Sequence, residues 1–263
     1  MKKHNPLVTI VTPSYNQAQF LPATIESVLG QSYPNIEYII IDGGSDDGSL
    51  EVIQGYAHDL SFWISQPDRG QSDAINKGLG HAHGEVLAYL NSDDTLEPQA
   101  VAEAVAFLQD HPEVGMVYGD ANFIDQHGRV IGRFPAAQTN YRRLRRGYVH
   151  IPQAAAFWRA DLYHQVGPLD TSLFFAMDYD LWRRLARITT LHYRPGVWAN
   201  FRLHSDAKTI AADDRCWPEM IRIHRRDGGS TLSLIMVKYI LRKFFAPLVT
   251  WRRRRRVQQA QEK

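Results

Sequence analysis

Residues 7–49 read LVTIVTPSYNQAQFLPATIESVLGQSYPNIEYIIIDGGSDDGS, and this stretch decides the fold. Residues 7–12 (LVTIVT) form a short β-branched run that reads as a buried strand. The apolar spacing of residues 18–29 predicts a helix. Residues 36–41 (IEYIII) are nearly all apolar, the pattern of a strand covered on both faces. Outward from this unit the alternation continues, with a helix expected over 49–57, a short strand over 61–65, a helix over 72–81 and a strand over 85–90. Strand–helix alternation of this kind predicts an α/β fold, a mostly parallel sheet flanked by helices.

In such sheets ligands bind outside the carboxyl ends of the strands. The segments there are Pro13-Ser14-Tyr15-Asn16, Asp42-Gly43-Gly44-Ser45-Asp46-Asp47, Gln66-Pro67-Asp68-Arg69-Gly70 and Asn91-Ser92-Asp93-Asp94. Three of the four carry carboxylates, which concentrates acidic chemistry on one edge.

The whole-chain numbers narrow the function class. With 263 residues the chain can hold one large domain and a small appendage. Its net charge of +2 argues against a general polyanion binder, and no nucleic-acid partner is expected. Positive charge is instead local, in Arg142, Arg143, Arg145 and Arg146 and in the run Arg252 to Arg256. The single cysteine, Cys216, leaves no intramolecular disulfide and no cysteine-based zinc site. The first apolar run stops at Pro13 and is too short for a signal peptide, so a cytoplasmic location is expected.

The second half is less regular. A strand is expected over 114–118, a hairpin over 121–134 with its turn at Gln126-His127-Gly128, a short amphipathic helix over 178–187 and a strand over 198–203. The character changes from residue 231 on. Leu234, Val237, Leu241, Phe244 and Leu248 follow helical spacing, interrupted by Lys238, Arg242 and Lys243 and followed by Pro247 and the arginine run. Burying those three cations in a bilayer would cost roughly 2.5–3.5 kcal/mol each. A helix lying on an anionic membrane surface through residues 234–256, at the cytoplasmic face, fits better. The competing reading is a helix packed on the domain with a solvated basic tail.

Several side chains carry chemistry, each with a structural alternative. Asp93 and Asp94 end an apolar strand and can hold a hard divalent cation through oxygen ligands, which would neutralise a departing diphosphate. Asp94 can equally be the N-cap of the next helix. Asp42 can accept hydrogen bonds from a base or ribose, or serve its glycine-rich turn; Asp46 and Asp47 read as turn and cap residues. Asp178, at the start of a helix, can act as general base toward a hydroxyl or cap that helix. His204 can add a metal ligand, bind phosphate or be structural. The 142–146 arginines can meet an acceptor phosphate or form a solvated helix face.

In order along the chain, TPSYNQAQFLPATIESVLGQSYPNIEYIIIDGGSDDGS, PDRGQSDAINKGLGHAHGEVLAYLNSDD, AMDYDLWRRLA and FRLHSDAKT resemble the family 2 glycosyltransferases, over roughly residues 6–210. The resemblance implies the nucleotide-diphospho-sugar transferase fold called GT-A over residues 1–230, with residues 231–263 as a basic amphipathic helix and tail. It also implies inversion by direct displacement; the basic amphipathic tail, which could hold the enzyme at a membrane, points to an acceptor that is a sugar or lipid-linked sugar. By position, Pro13, Tyr15 and Asn16 would line the nucleotide pocket and Asp42 would contact the base, with Asp68 and Arg69 nearby. Asp73 and Ser92 would complete the donor-binding set. Asp93 would be the main ligand of Mn2+ or Mg2+, beside Asp94, and Asp178 the catalytic base. His204 would lie in the segment that closes over the diphosphate.

Two positions depart from the family pattern. Asn91 stands where an aspartate is common, and Met177 where a glutamate often precedes the base. No Gln-x-x-Arg-Trp segment is present, so transfer of one sugar is expected rather than polymerisation. Two alternatives remain: a catalytically silent sugar-nucleotide-binding or scaffolding protein, kept open by Asn91 and Met177, and a nucleotidyltransferase on a related fold. The Pro13-Ser14-Tyr15-Asn16 loop lacks the glycines and cations that the latter needs. A dinucleotide oxidoreductase is disfavoured, because no G-x-G-x-x-G follows the first strand.

Overall fold

The structure is a computed structural model that describes residues 5–204 and 213–243. The arginine run 252–256, the tail from residue 244 and positions 205–209 of the last resembling stretch lie outside the described residues.

The first four strands are β1 (Val8–Ser14), β2 (Ile36–Asp42), β3 (Phe62–Ser65) and β4 (Val86–Tyr89), with helices α1 (Leu21–Leu29), α2 (Ser49–Gly55) and α3 (Gln71–Gly80) between them. They lie in the order β3-β2-β1-β4, and every pair is parallel. The chain then runs through β5 (Thr95–Leu96), α4 (Ala100–Asp110), β6 (Val114–Ile124), β7 (Val130–Arg133) and α5 (Tyr141–Arg145). A 3-10 turn at Gln153–Ala155, β8 (Ala156–Arg159), α6 (Ala160–Val166), α7 (Met177–Ile188) and β9 (Thr190–Arg202) follow. Two further helices, α8 (Asp213–Arg226) and α9 (234–243), end the described chain.

Why these residues build a two-faced sheet is visible in the strand alternation. Val8, Ile10, Tyr38 and Ile40 point into one buried cluster with α1 and α4, while Val11, Ile39 and Ile41 point into the other with α3 and α7. A period of two with apolar residues at every step is what covering on both faces requires. Gly78 lets α3 approach closely, since a Cβ there would lie 2.3 Å from Val11 Cγ1.

Beyond β4 the sheet becomes mixed. β8 lies antiparallel between β4 and β6, β9 runs parallel to β6, and β5 pairs antiparallel with β9. The expected strand at 114–118 and the first arm of the expected hairpin are one continuous strand, β6, which pairs antiparallel with β7 as a hairpin does. The expected strand at 198–203 is the end of the longer β9. No described helix is long and apolar enough to cross a membrane. On α9, Ile235 and Met236 are buried in the cluster that holds α7, whereas Leu234, Val237, Ile240 and Leu241 are exposed.

Candidate active site

The loops after β1 and β2 are stitched together. Asn16 takes a positive φ of 52°, its Oδ1 accepts from Asp46 N at 3.0 Å, and its N–H donates to Ser45 Oγ at 2.8 Å. Asparagine tolerates this left-handed backbone better than most side chains. Asp47 accepts from Ala18 N and from Ser49 N and Oγ, the turn and cap role its sequence context predicts. Asp42 is fully buried and accepts from Gly44 N, Ser45 N, Ser45 Oγ and Ser65 Oγ, so its carboxylate organises the glycine turn. A Cβ on Gly43 would lie 3.0 Å from Asp68 Oδ2 and 3.2 Å from Tyr15, so Tyr15 and Asp68 flank bare backbone. Tyr15 is 62% exposed, an open ring at the strand ends, whereas Pro13 is buried inside β1. Asp68 accepts from Gly70 N at 2.7 Å. Arg69 donates to Asp73 at 2.7 Å, and that bond, foremost, holds the Asp73 carboxyl down to about 2.

A second group forms where β4 meets the end of β9. His204 Nε2 lies 3.0 Å from Asp93 Oδ2. The His204 ring rests on Phe20, with centroids 4.7 Å apart, and the Arg202 guanidinium lies over the same ring at 4.9 Å. Arg202 ties the group together: its backbone N–H donates to Asp94 Oδ1, its Nε to the Asp93 carbonyl and its Nη1 to the Asp125 carbonyl. Asn91 Oδ1 accepts from Gln71 at 2.6 Å, and its amide donates to Asp94 Oδ2 and Gln153 Oε1. Burial, then the neighbouring Asp93, push the Asp94 carboxyl well above the usual carboxylate range.

These contacts correct one expectation for Asp94: it does not cap the next helix, because α4 begins at Ala100 with Gln99 in the capping position. Asp94 is 1% exposed, with both oxygens engaged by Asn91 and Arg202. Among the described residues no group of three or more His, Cys, Asp or Glu is placed to hold a metal ion. Asp93 and His204 nonetheless offer one carboxylate oxygen and one imidazole nitrogen, from the segment after β4 and the residues just past β9. A hard divalent cation that keeps waters and takes phosphate oxygens from its substrate fits such a two-donor set. Ser92 is buried next to them.

The third group is the start of α7. Met177 Sδ accepts from Ser72 Oγ at 2.8 Å, so the position before Asp178 packs on the first turn of α3. Asp178 is half-buried, and its Oδ1 accepts from Tyr179 N at 2.6 Å. The buried Tyr89 phenol, at the end of β4, is pushed far above its ordinary value, foremost by burial. Asp180 is structural: it is buried and ion-paired with Arg184 at 2.9 Å and with Arg226. The 142–146 arginines lie on and just after α5, where Arg143 packs on Tyr148 and Arg145 on Tyr141. Reading the sequence alone missed Gln71, Gln153 and Arg202. Only Arg202 carried a signal, two residues before His204 at the end of a strand.

The model of Glycosyl transferase family 2 matches residues 9–167, more than half of the chain. The chain belongs to this family. An uncharacterized glycosyltransferase of Mycobacterium tuberculosis is 33% identical over 186 residues, covering 70% of each chain. A PGL/p-HBAD biosynthesis glycosyltransferase of Mycobacterium bovis is 30% identical over 179 residues, covering 66% of this chain and 68% of the relative. An uncharacterized glycosyltransferase of Rickettsia felis is 28% identical over 212 residues, of which this chain spans only 35% of the length. Among solved structures, Staphylococcus aureus TarS 1–349 in complex with UDP aligns with a TM-score of 0.69 at 17% identity, covering 90% of this chain and 72% of that one. The mannosyltransferase PcManGT of Pyrobaculum calidifontis, in complex with GDP-Man and Mn2+, aligns with a TM-score of 0.68 at 20% identity, covering 91% and 70%. The family 2 transferase therefore has the GT-A fold that the resemblance implied, with the helix-flanked sheet that its strand–helix alternation predicts.

Proposed function

We propose that this family 2 chain transfers a single sugar, with inversion, from a nucleotide-diphospho-sugar to an acceptor hydroxyl of a cell-surface polysaccharide or glycolipid precursor. The observation that carries the reading is the Asp93–His204 pair, 3.0 Å apart just beyond the carboxyl end of β4; Asp178 opens α7, which Met177 ties to Ser72 in the first turn of α3. The nucleotide lies along Tyr15, Asn16, Gly43 and Asp68, over the turn that Asp42 organises, with Arg69, Asp73 and Ser92 at its edge. Asp93 and His204 would hold Mn2+ or Mg2+, which when bound would neutralise charge on the diphosphate. Asp178 takes the proton of the acceptor hydroxyl as its oxygen attacks the anomeric carbon. The bond from that carbon to the diphosphate breaks, and the electron pair leaves with the nucleotide. Support for a nucleotide-sugar donor comes also from the ligands of the aligned transferases, UDP in one and GDP-Man in the other.

The test is a thermal-shift screen of UDP, GDP, CDP and dTDP, each with and without Mn2+. A ligand that binds only the folded state raises the melting temperature by mass action. One nucleotide whose shift grows with Mn2+ is expected. No shift with any of them, in a folded sample, defeats the reading.

The same reading includes contact with an anionic membrane through α9 and the basic residues after it. Its outward face presents Leu234, Val237, Ile240 and Leu241, all apolar and exposed, while Lys238 turns back onto Tyr148 and the Arg146 carbonyl. An apolar helix face followed in sequence by an arginine run is the composition of an interfacial anchor. Removing α9 would uncover the core around Ile235, so the proper variant is Val237→Glu with Leu241→Glu. It should lose cosedimentation with phosphatidylglycerol-containing vesicles at an unchanged melting temperature; full retention would rule this anchor out.

A further inference from the structure

The base helix α7 begins without a side-chain cap of its own, since its N-cap residue is Ala176. A carboxylate from a different helix supplies what is missing. Glu219, on α8, accepts from Phe174 N at 3.0 Å through Oε1, and from Phe175 N and Ala176 N at 2.8 Å each through Oε2. Three successive backbone N–H groups converging on one anion form a charge-assisted set, stronger than neutral hydrogen bonds. The set ends two residues before Asp178.

The rest of this loop is clamped from both sides. From α8, Arg222 donates to the Ser172 carbonyl at 2.7 Å, and Arg226 lies 3.8 Å from Asp170 while also pairing with Asp180. From α3, Asn76 both donates to the Leu169 carbonyl and accepts from Leu169 N, and Ser72 donates to the Leu173 carbonyl. The loop so held exposes Phe174, 54% open, four residues before the base. Positioning a base to within a fraction of an ångström needs a fixed backbone beneath it.

We propose that Glu219 is a positioning residue for sugar transfer: by holding the 174–176 backbone it sets the entry of Asp178 and of Phe174 into the acceptor side, which makes α8 part of the working site. This inference rests on the reading of Asp178 as the base.

The experiment compares wild type, Glu219→Ala, Glu219→Gln and Asp178→Asn in the full chain. It reads nucleoside-diphosphate release from UDP-glucose, UDP-N-acetylglucosamine and GDP-mannose with water as acceptor, and beside it the Mn2+-dependent thermal shift with the matching diphosphate. Glu219→Ala should slow release about 10- to 100-fold while the diphosphate shift stays at the wild-type value. Glu219→Gln, which keeps one acceptor oxygen for the Phe175 and Ala176 amides, should fall between the two. Wild-type release in Glu219→Ala overturns the proposal. So does a parallel loss of release and of diphosphate shift, which is what general loosening produces. Should Glu219→Ala not fold, the same two readings of Glu219→Gln decide. Asp178→Asn leaves the three amide bonds intact, so wild-type release there removes the base assignment separately. A wild type that releases nothing from any of the three donors defeats both readings together.

Discussion

The two halves of this transferase are built on different principles. From β1 to the end of β4 every strand pair is parallel, each crossover is a short helix, and the candidate donor residues sit within a few positions of a strand end. From β6 to α9 the pairing is mixed, and the working contacts join distant points. The Arg202 amide meets Asp94 across 108 positions, and the Glu219 carboxylate meets Ala176 across 43. The difference teaches that a donor site can be laid out by strand register alone. The Asp93–His204 pair and the start of α7 are held instead by side chains that reach between elements. If the halves are so divided, binding and chemistry should be separable by mutation.

The largest expected effect tests that division directly. Asp178→Asn keeps the shape and the Tyr179 N contact but cannot take a proton. Transfer should fall about 10²- to 10⁴-fold, the usual contribution of a general base. The Mn2+-dependent shift with the preferred diphosphate should stay as in wild type, because Asp178 is neither one of the nucleotide residues nor one of the two proposed holders of the cation. A variant that loses the diphosphate shift as well would show that the halves are not separable at α7.

A smaller effect is expected where the halves are joined. Arg202 reaches from the end of β9 to the Asp93 carbonyl and to the Asp125 and Gln126 carbonyls at the β6–β7 turn. Arg202→Met keeps the backbone bond to Asp94 and much of the packing on Phe20, but leaves those carbonyls without their charged donor. The cost should be about 1–3 kcal/mol. In a chain of this size that is a fall in melting temperature of about 2–4 °C per kcal/mol. The Mn2+ dependence of the diphosphate shift should weaken with it, since Asp93 loses its tie. An unchanged melting temperature would mean that the strands alone hold the two halves together.

How much of this was legible beforehand follows the same divide. The buried runs 7–12 and 36–41 announce their strands because a doubly covered strand must be apolar at every step, and Val11 and Ile40 do face opposite clusters. Asp93 and His204 were readable as residue types and the structure brings them together. Asp94 has the same side chain as Asp93, and only the donors around it, Asn91 and Arg202, make it a buried strut. Asn91 itself looks like a lost ligand in sequence. In space it has to be an amide, because it donates to Asp94 and Gln153 while accepting from Gln71. Apart from the Asn91–Asp94 bond, these roles depend on partners 20 to 108 residues away, so no local pattern carries them. The resemblance singles out Asp178 at the start of the helix expected over 178–187, yet nothing near it in sequence points to Glu219.

The smallest expected effect lies in the first half and sharpens what local ties do there. Asp73, in the first turn of α3, accepts from Arg69 Nη2 at 2.7 Å and Arg69 N at 3.2 Å, with Lys77 at 3.5 Å. The Arg69 bond, foremost, lowers its carboxyl from 3.8 to about 2. A carboxyl lowered on folding contributes stability above its unfolded value, and that stability is lost as pH falls through the folded value. The melting temperature of Asp73→Asn should therefore lie below wild type by a constant amount from pH 5 upward. The gap should narrow between about pH 4 and pH 2 and close below that. Because Arg69 is largely exposed, solvent and salt screen the pair, and the gap should stay small and shrink further in added salt. The diphosphate shift should fall along with it, since Arg69 loses its anchor beside Asp68. A gap that persists at pH 2 would assign the loss to packing at the start of α3 rather than to charge, and the two halves would then differ less than their contacts indicate.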